Sequence, residues 1–190
     1  MEQVNPLYHH SKSALEEERL WIANAKKNPA DFGLLYKKYY LQIFRFVLKR
    51  IGDENNSAEI VSDIFVKALQ SIHKYEDKGF PFSAWLFQIA RNEVNLSYRK
   101  EKYSRTVTVE TPELNECLEE VEETPNEENV QLLLEGMREL KPDELEILEM
   151  RYFEKRPFKE VSEILDITES TAKVRMHRVM QKLKEIVRRK

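Results

Sequence analysis

Apolar residues recur every three or four positions along most of this chain, which is the spacing of an amphipathic helix. In the stretch SAEIVSDIFVKALQSI (57–72), the residues at this spacing are Ala58, Val61, Phe65, Ala68 and Ile72. The stretch FSAWLFQIARNEVNLSYRK (82–100) repeats the pattern with Phe82, Trp85, Leu86, Ile89 and Ala90. The pattern therefore predicts two helices, each with one face in a core.

Two earlier helices are indicated by their start and stop signals. Ser13 and Glu16 form a capping box, and Asn28 followed by Pro29 starts a second, aromatic-rich helix that runs to Gly52. The residues expected to be buried in the first helix are Leu20, Ile22 and Ala23. Together the four helices predict a compact bundle over 13–102, preceded by a disordered tail over 1–12.

The composition changes abruptly after this bundle. From Thr106 to Met137 there is no lysine or arginine, while ten glutamates fall in the same window. Pro112 and Pro125 interrupt the segment, and its apolar residues are sparse. We therefore predict a flexible acidic linker over 103–130.

The last part of the chain, 131–190, predicts a helix-turn-helix domain. FKEVSEIL is followed by a three-residue turn from Asp166 to Thr168, and Thr168 caps a second helix. The buried stripe of that helix is Ala172, Met176, Val179, Leu183 and Ile186. Its opposite face carries Ser170, Lys173, Val174, His177, Arg178 and Gln181, with Arg175 and Lys182 at the flank.

An exposed basic helix after a short turn has the form that major-groove binding requires, but a solvated charged face has the same local pattern. The preceding stretch LKPDELEILEMRYFEKR favours DNA binding, because it supplies a third helix to support the pair. Its expected core residues are Leu140, Leu145, Leu148 and Tyr152.

Composition supports an all-α protein of two small helical domains. The chain of 190 residues has only 4 glycines against 8 tyrosines and 9 phenylalanines, and its formal net charge is −3. The single Cys117 excludes an internal disulfide, and neither a signal peptide nor a membrane-spanning run is evident. We expect a cytoplasmic protein without membrane contact of its own, and we find no arrangement of catalytic, metal-binding or cofactor-binding residues.

Both folded parts resemble one protein family. IVSDIFVKAL and FSAWLFQIARN resemble the first promoter-binding domain, region 2, of bacterial sigma factors of the extracytoplasmic-function (ECF) group. LKPDELEILEMRYFEKRPFKEVSEILDITESTAKVRMHRVMQKLKEI resembles the second, region 4, of the same group. The resemblance covers about 20–100 and 132–187, which is most of the chain.

The resemblance implies a dissociable subunit that directs RNA polymerase to promoters and helps to melt them. Its partners would be core polymerase (the β′ coiled coil and the β flap), double-stranded promoter DNA, the melted non-template strand and an anti-sigma protein. The residues expected to read the −35 element are Ser170, Thr171, Lys173, Val174, Arg175, His177 and Arg178. Those expected at the −10 element are Phe80, Phe82, Gln88, Arg91, Asn92, Asn95, Arg99 and Lys100. Those expected to bind polymerase are Ser62, Asp63, Phe65, Lys67 and Gln70.

The sequence departs from the family pattern at three places. Asp166 stands where glycine is usual in the turn, Pro157 stands where serine often caps the first helix of the pair, and SAEIVSDIF lacks one usual acidic residue. Aspartate tolerates the left-handed conformation, so the turn is expected to survive. The weaker helix cap is expected to cost about 1 kcal/mol.

Several alternatives stay open at the level of sequence. The acidic linker either threads the RNA path of polymerase or serves as a plain spacer. The whole chain fits, besides a sigma factor, a free-standing helix-turn-helix regulator or a scaffold that binds polymerase without reading DNA. The sequence does not specify the promoter, the inducing signal or a second DNA-bound factor that recruits the protein.

Overall fold

The structure is a computed structural model that describes residues 12–101, 111–121 and 126–188. Within those residues the chain is helical and contains no β-strand. It divides into an N-terminal unit, His9–Thr108, and a C-terminal unit that contains Val109–Lys190. None of the described helices is long and apolar enough to span a bilayer.

The N-terminal unit is built on helices α1 (Lys12–Lys27), α2 (Gly33–Ile51), α3 (Glu54–Ser71) and α4 (Phe82–Glu101). As predicted, Asn28 caps the short 3-10 turn before α2, and its side chain accepts from the Ala30 N–H at 3.2 Å. Gly52 ends α2 in the left-handed conformation with φ 76°, which glycine adopts without strain. Asp53 then caps α3, so this helix begins three residues earlier than the apolar pattern indicates.

The first helix corrects the sequence analysis. Ser13 lies inside α1, so it is not the cap at the start of this helix, and Leu20 is 65% exposed. The buried residues are Glu18, Ile22 and Ala25, which follow each other at intervals of four and three. Of the predicted stripe only Ile22 is buried, and Ala23 is exposed like Leu20. The apolar pattern is misleading here because one of the buried positions is a glutamate.

Glu18 is buried because it satisfies several donors at once. Its carboxylate accepts from the Phe82 N–H at 3.0 Å, from Lys38 Nζ at 2.9 Å and from the Tyr39 hydroxyl. A buried carboxylate is tolerated only when it is paired and hydrogen-bonded in this way. Glu18 therefore ties α1 to α2 and to the first turn of α4.

The C-terminal unit contains α5 (Thr111–Glu120), α6 (Glu127–Arg138), α7 (Pro142–Leu148), α8 (Phe158–Leu165) and α9 (Glu169–Val187). A π-helical turn, Glu149–Phe153, extends α7. Helix α9 packs on α6, α7 and α8, and its buried residues are Ala172, Met176, Val179, Leu183 and Val187. Gly136 allows the approach of α6, because a Cβ there would lie 3.1 Å from Ile186 Cγ2.

Helix α5 lies within the segment that the sequence predicts to be a flexible acidic linker, and this helix was not predicted. Leu114, Cys117, Leu118 and Val121 are each at most 4% exposed. Their spacing of three, one and three residues is that of a helix with one apolar face, which the surrounding glutamates concealed. The linker residues 102–110 and 122–125, and residues 1–11 of the predicted tail, lie outside the described part of the chain.

Candidate nucleic-acid interface

The turn between α8 and α9 fixes the angle at which α9 leaves the domain. Asp166 adopts the left-handed conformation with φ 52° and ψ 50°, and the Ile167 N–H donates to the Ser162 carbonyl at 3.0 Å. Thr168 caps α9 by accepting from the Thr171 N–H at 3.2 Å. The turn and its cap are therefore as predicted, and Pro157 provides no side-chain cap for α8, also as predicted.

Asp166 provides a direct test of the turn geometry. We expect Asp166→Val to lower the free energy of unfolding by about 1–2 kcal/mol, because a β-branched side chain is strained at positive φ. Asp166→Gly is expected to cause no loss, because glycine adopts this conformation freely. Chemical denaturation of the two variants, followed by hydrogen exchange in α8 and α9, measures the difference. Equal losses of unfolding free energy in both variants would show that the left-handed backbone conformation at residue 166 does not determine the stability of the turn.

The exposed face of α9 carries the side chains predicted to contact DNA. Ser170, Lys173, Arg175, His177 and Arg178 are exposed, and Thr171 is half-buried. Val174 is 50% exposed and adds an aliphatic side chain to this face. Lys173 forms an exposed ion pair with Glu169 at 2.6 Å, a contact that water and salt weaken. The face therefore combines cations, hydroxyls and one aliphatic side chain, which are the groups that read base edges and phosphates.

A cavity of about 440 Å³, which we name the α9 groove, borders this face. Lys173 and His177 line it from α9, Phe158 from α8, Arg151 from the π-helical turn, and Glu120 from α5. The Arg151 guanidinium lies 4.8 Å from the centre of the Phe158 ring, and Lys173 Nζ lies 6.0 Å from it. The groove thus places cations around an aromatic ring at the edge of the DNA-reading face.

Lys182 has a different position from the one expected. The sequence places it at the flank of the polar face, but it is half-buried and holds α9 to α7. Its Nζ lies 3.0 Å from Glu144 Oε2 and 3.1 Å from the Glu139 carbonyl. Desolvation alone would raise the pKa of Glu144, but the Lys141 N–H and the Lys182 ammonium outweigh it, and the pKa is lowered.

The N-terminal unit presents a polar face on α4. Asn92, Arg99 and Lys100 are exposed, while Gln88, Arg91, Asn95 and the loop residue Phe80 are half-buried. Gln88, Asn92, Asn95 and Arg99 follow at intervals of four, three and four residues, so they share one side of the helix. This arrangement leaves amides and cations accessible to a nucleic-acid strand.

Phe82 must be removed from the predicted contact residues. It is 0% exposed, and its ring packs 5.3 Å from Tyr75 and 5.9 Å from Tyr39. Tyr75, another aromatic residue of the segment before α4, is also buried, with 7% of it exposed. The spacing of aromatic residues does not distinguish a ring that packs in the core from one that stacks on a base. Here Phe82 and Tyr75 both pack in the core. Phe80 remains as the accessible aromatic of the loop.

The loop before α4 is held in place by polar contacts. Asp77 accepts from the Gly79 N–H at 2.8 Å, and Arg19 Nε lies 2.6 Å from its carboxylate. The Gly79 hydrogen bond and the Arg19 charge keep the pKa of Asp77 below its usual value against the opposing effect of desolvation. Gly79 has φ 79°, so the tight turn relies on glycine. Phe80 is therefore presented by a fixed loop.

On α3, the predicted polymerase-binding residues divide in two. Ser62, Asp63, Lys67 and Gln70 are exposed, whereas Phe65 is 4% exposed and packs against Tyr36 at 4.7 Å between ring centres. Phe65 is thus a core residue and is removed from the predicted contact set. Val66, which is not among the predicted residues, is 49% exposed beside Asp63 and Gln70. The sequence does contain a signal for this residue, because Val66 is an apolar residue at an outward position among the polar residues of α3.

Among the described residues, no group of three histidine, cysteine, aspartate or glutamate side chains is placed to hold a metal ion. His9 and His10 lie outside those residues. The chemistry that the described surface does offer is cationic, amide and hydroxyl recognition of an anionic partner.

Two helical units with such surfaces, one of them a helix-turn-helix, define a two-domain DNA-reading protein. The family model "Sigma-70 region 2" matches residues 35–103, and "Sigma-70, region 4" matches residues 136–185. The chain belongs to the ECF group of the sigma-70 family, the promoter-recognition subunits of RNA polymerase.

Relatives of this group span most of the chain. The ECF RNA polymerase sigma factor SigM of Bacillus subtilis is 28% identical over 157 residues, covering 82% of this chain and 94% of SigM. The ECF RNA polymerase sigma factor BldN of Streptomyces coelicolor is 27% identical over 172 residues, covering 87% of this chain but only 64% of BldN. The fold is similar to that of CnrH, solved in complex with the cytosolic domain of CnrY. That similarity has a TM-score of 0.60 at 19% identity and covers 89% of this chain and 96% of CnrH.

Proposed function

We propose that the C-terminal unit reads the −35 element with α9 while the N-terminal unit reads the −10 element with α4 and its preceding loop. The observation that carries this proposal is the exposed, capped face of α9, with cations on one side and a buried apolar stripe on the other. Such a helix can enter a major groove without disturbing its own domain. Ser170, Thr171, Lys173, Val174, Arg175, His177 and Arg178 are the proposed contacts.

At the −10 element the partner is a single strand as well as a duplex. Asn92, Arg99 and Lys100 are the more accessible groups for phosphates and base edges, with Gln88, Arg91 and Asn95 beside them. Phe80, fixed by its loop, is the proposed stacking ring for an unpaired base. Phe82 supports this surface from beneath and makes no direct contact.

The exposed side of α3 is the proposed docking surface for the β′ coiled coil. Ser62, Asp63, Lys67 and Gln70 supply its polar groups, and Lys67 pairs with Glu93 of α4 at 2.5 Å. Val66 lies among them and supplies the apolar contact that an interface centre needs. The β flap is proposed as a second contact, made by the C-terminal unit.

Val66 gives a test of this docking surface. We expect Val66→Glu to lower the affinity for core polymerase by about fivefold or more, because the interface would bury an unpaired charge in place of a methyl group. Leu20→Glu is the matched control, since Leu20 is also an exposed aliphatic residue but lies on α1. Fluorescence titration of labelled chain with core polymerase measures both affinities. Equal affinities for the two variants would exclude this side of α3.

We further propose that the protein acts in the bacterial cytoplasm as a specificity subunit with no catalytic residues of its own, and that an anti-sigma protein holds it inactive. The family resemblance supports the location, the absence of catalytic residues and the anti-sigma protein alike. Catalysis then belongs to core polymerase, and the chain contributes binding energy and placement. No cofactor is part of the proposal.

A gel-shift experiment separates this function from that of a free-standing regulator. Promoter fragments are incubated with the chain alone, with core polymerase alone and with both. The proposal predicts a specific, competitor-resistant complex only when both are present. Tight and specific binding by the chain alone would overturn it in favour of a free-standing regulator.

A further inference from the structure

Helix α5 is part of the packed C-terminal unit, although it lies in the acidic segment between the two family regions. Leu114, Cys117 and Leu118 are at most 4% exposed. Glu116 of α5 forms an ion pair with Lys155, and the Tyr152 hydroxyl of the π-helical turn donates to the Glu120 carboxylate. These contacts hold an anionic helix against the domain that reads DNA.

The position of α5 sets a carboxylate beside the DNA-reading face. Glu120 lines the α9 groove together with Lys173, His177 and Lys184. Glu119 and Glu120 are both exposed, so their negative charges face a phosphate that approaches the groove. Charges closer than the Debye length of about 8 Å act on each other at physiological salt, so a phosphate entering the groove would be repelled.

A docked α5 is also shorter than an extended linker. Its ten residues span about 15 Å as a helix, at 1.5 Å per residue, against about 33–36 Å when fully extended. A segment that is drawn along a channel of polymerase must give up this helix or its docking. Docking in the free chain and passage through polymerase are therefore alternative states of the same residues.

We propose that α5 is an internal shield of the −35-reading face, docked in the free chain and withdrawn when core polymerase engages the acidic segment 103–130. The inference rests on the proposed function and deepens it by adding regulation of the same site. In the free chain, Glu120 disfavours DNA in the α9 groove. In the polymerase complex, the groove is open and the face of α9 is complete.

The first experiment uses the free chain and does not depend on polymerase. Binding to a duplex that contains the −35 element is measured by fluorescence anisotropy at low salt. Glu120→Gln keeps the hydrogen-bonding shape but removes the charge, and is expected to raise affinity about two- to fivefold. Glu135→Gln, an exposed site on α6, is the matched control and is expected to leave affinity unchanged. No difference between the two variants would overturn the shielding.

The second experiment uses Cys117, the only cysteine in the chain. Burial, with a smaller effect from Glu120, raises the pKa of this thiol to about 12, so alkylation of the free chain is expected to be slow. In the complex with core polymerase we expect alkylation at least about tenfold faster, quantified on the Cys117 peptide by mass spectrometry. Equal protection in the free chain and in the complex would overturn the withdrawal of α5.

The two proposals fail in different ways. Complex formation with core polymerase is scored separately by gel filtration, and its absence counts against the proposed function. A complex that transcribes while Cys117 stays protected and Glu120→Gln has no effect would contradict the shield alone.

Discussion

Replacing Arg178 with alanine is expected to weaken promoter binding by the reconstituted polymerase roughly 5- to 150-fold, the equivalent of about 1–3 kcal/mol for a base-edge contact. Arg178 is exposed on the same face of α9 as Lys173 and Val174, within the reach of a major groove. The side chain points away from the buried stripe, so its loss should leave the fold intact. Competition gel shifts with wild-type and mutated −35 elements measure the effect.

The way each loss of affinity depends on the DNA sequence distinguishes base contacts from phosphate contacts. Loss of a base contact weakens binding to the specific promoter and relaxes the preference at one base pair, whereas loss of a phosphate contact weakens all sequences alike. A lost phosphate contact also lowers the salt dependence by about one unit of slope. Lys173→Ala and Arg175→Ala are compared in the same assay. Arg138→Ala, an exposed arginine on α6, is the control, and an equal loss there would contradict the assignment of the α9 face.

Arg156→Ala is expected to lower the free energy of unfolding of the C-terminal unit by about 3–5 kcal/mol. Arg156 is 0% exposed, and its guanidinium lies 2.5 Å from both the Glu154 and Glu160 carboxylates. The backbone N–H of Arg156 donates to the Met150 carbonyl at 3.0 Å, which places the guanidinium between the π-helical turn and the start of α8. Removing the cation takes a charge partner away from each of two largely buried carboxylates.

Hydrogen exchange resolved by mass spectrometry measures this loss, because it separates peptides of the two units. Exchange is expected to accelerate in α7, α8 and α9 and to stay unchanged in α2 and α3. The matched variant replaces the whole charge cluster, combining Arg156→Met with Glu154→Gln and Glu160→Leu, and is expected to recover much of the stability. A loss below about 1 kcal/mol in Arg156→Ala would show that the buried cluster is not a stabilising centre.

The parts of the fold that depend on local signals could be predicted from the sequence. The turn from Asp166 to Thr168, the buried residues Ala172 and Met176 and the exposed face opposite them follow from spacing and capping alone. These features are set within one or two turns of helix, where propensity and periodicity act directly. The helix-turn-helix was therefore predicted, including its weak cap at Pro157.

The burial of side chains shared between helices could not be predicted in the same way. For Phe82 and Phe65 the apolar spacing predicted a core position, whereas the family resemblance predicted a contact with a partner. Both are core residues, packed against Tyr39 and Tyr36 of another helix. Glu18 and Arg156 were not expected in a core at all. A charged residue is buried only when partners distant in sequence or across a turn satisfy it, and periodicity does not report those partners.

Helix α5 shows how composition can conceal a pattern. The segment 111–121 has an acidic average, yet Leu114, Cys117, Leu118 and Val121 complete one apolar face. The average charge of this segment predicts a flexible linker, whereas the spacing of its apolar residues predicts a helix. Spacing was the better guide, because four buried side chains outweigh the exposed charge on the other face.

The central claim is that this chain gives core polymerase its choice of promoter through two separate DNA-reading units. Mapping the 5′ ends of RNA made in vitro from genomic DNA by core polymerase, with and without the chain, tests it most directly. The account predicts new start sites that appear only with the chain and that share two conserved upstream elements at a fixed spacing. No new start sites, or new starts that share no upstream sequence, would contradict it.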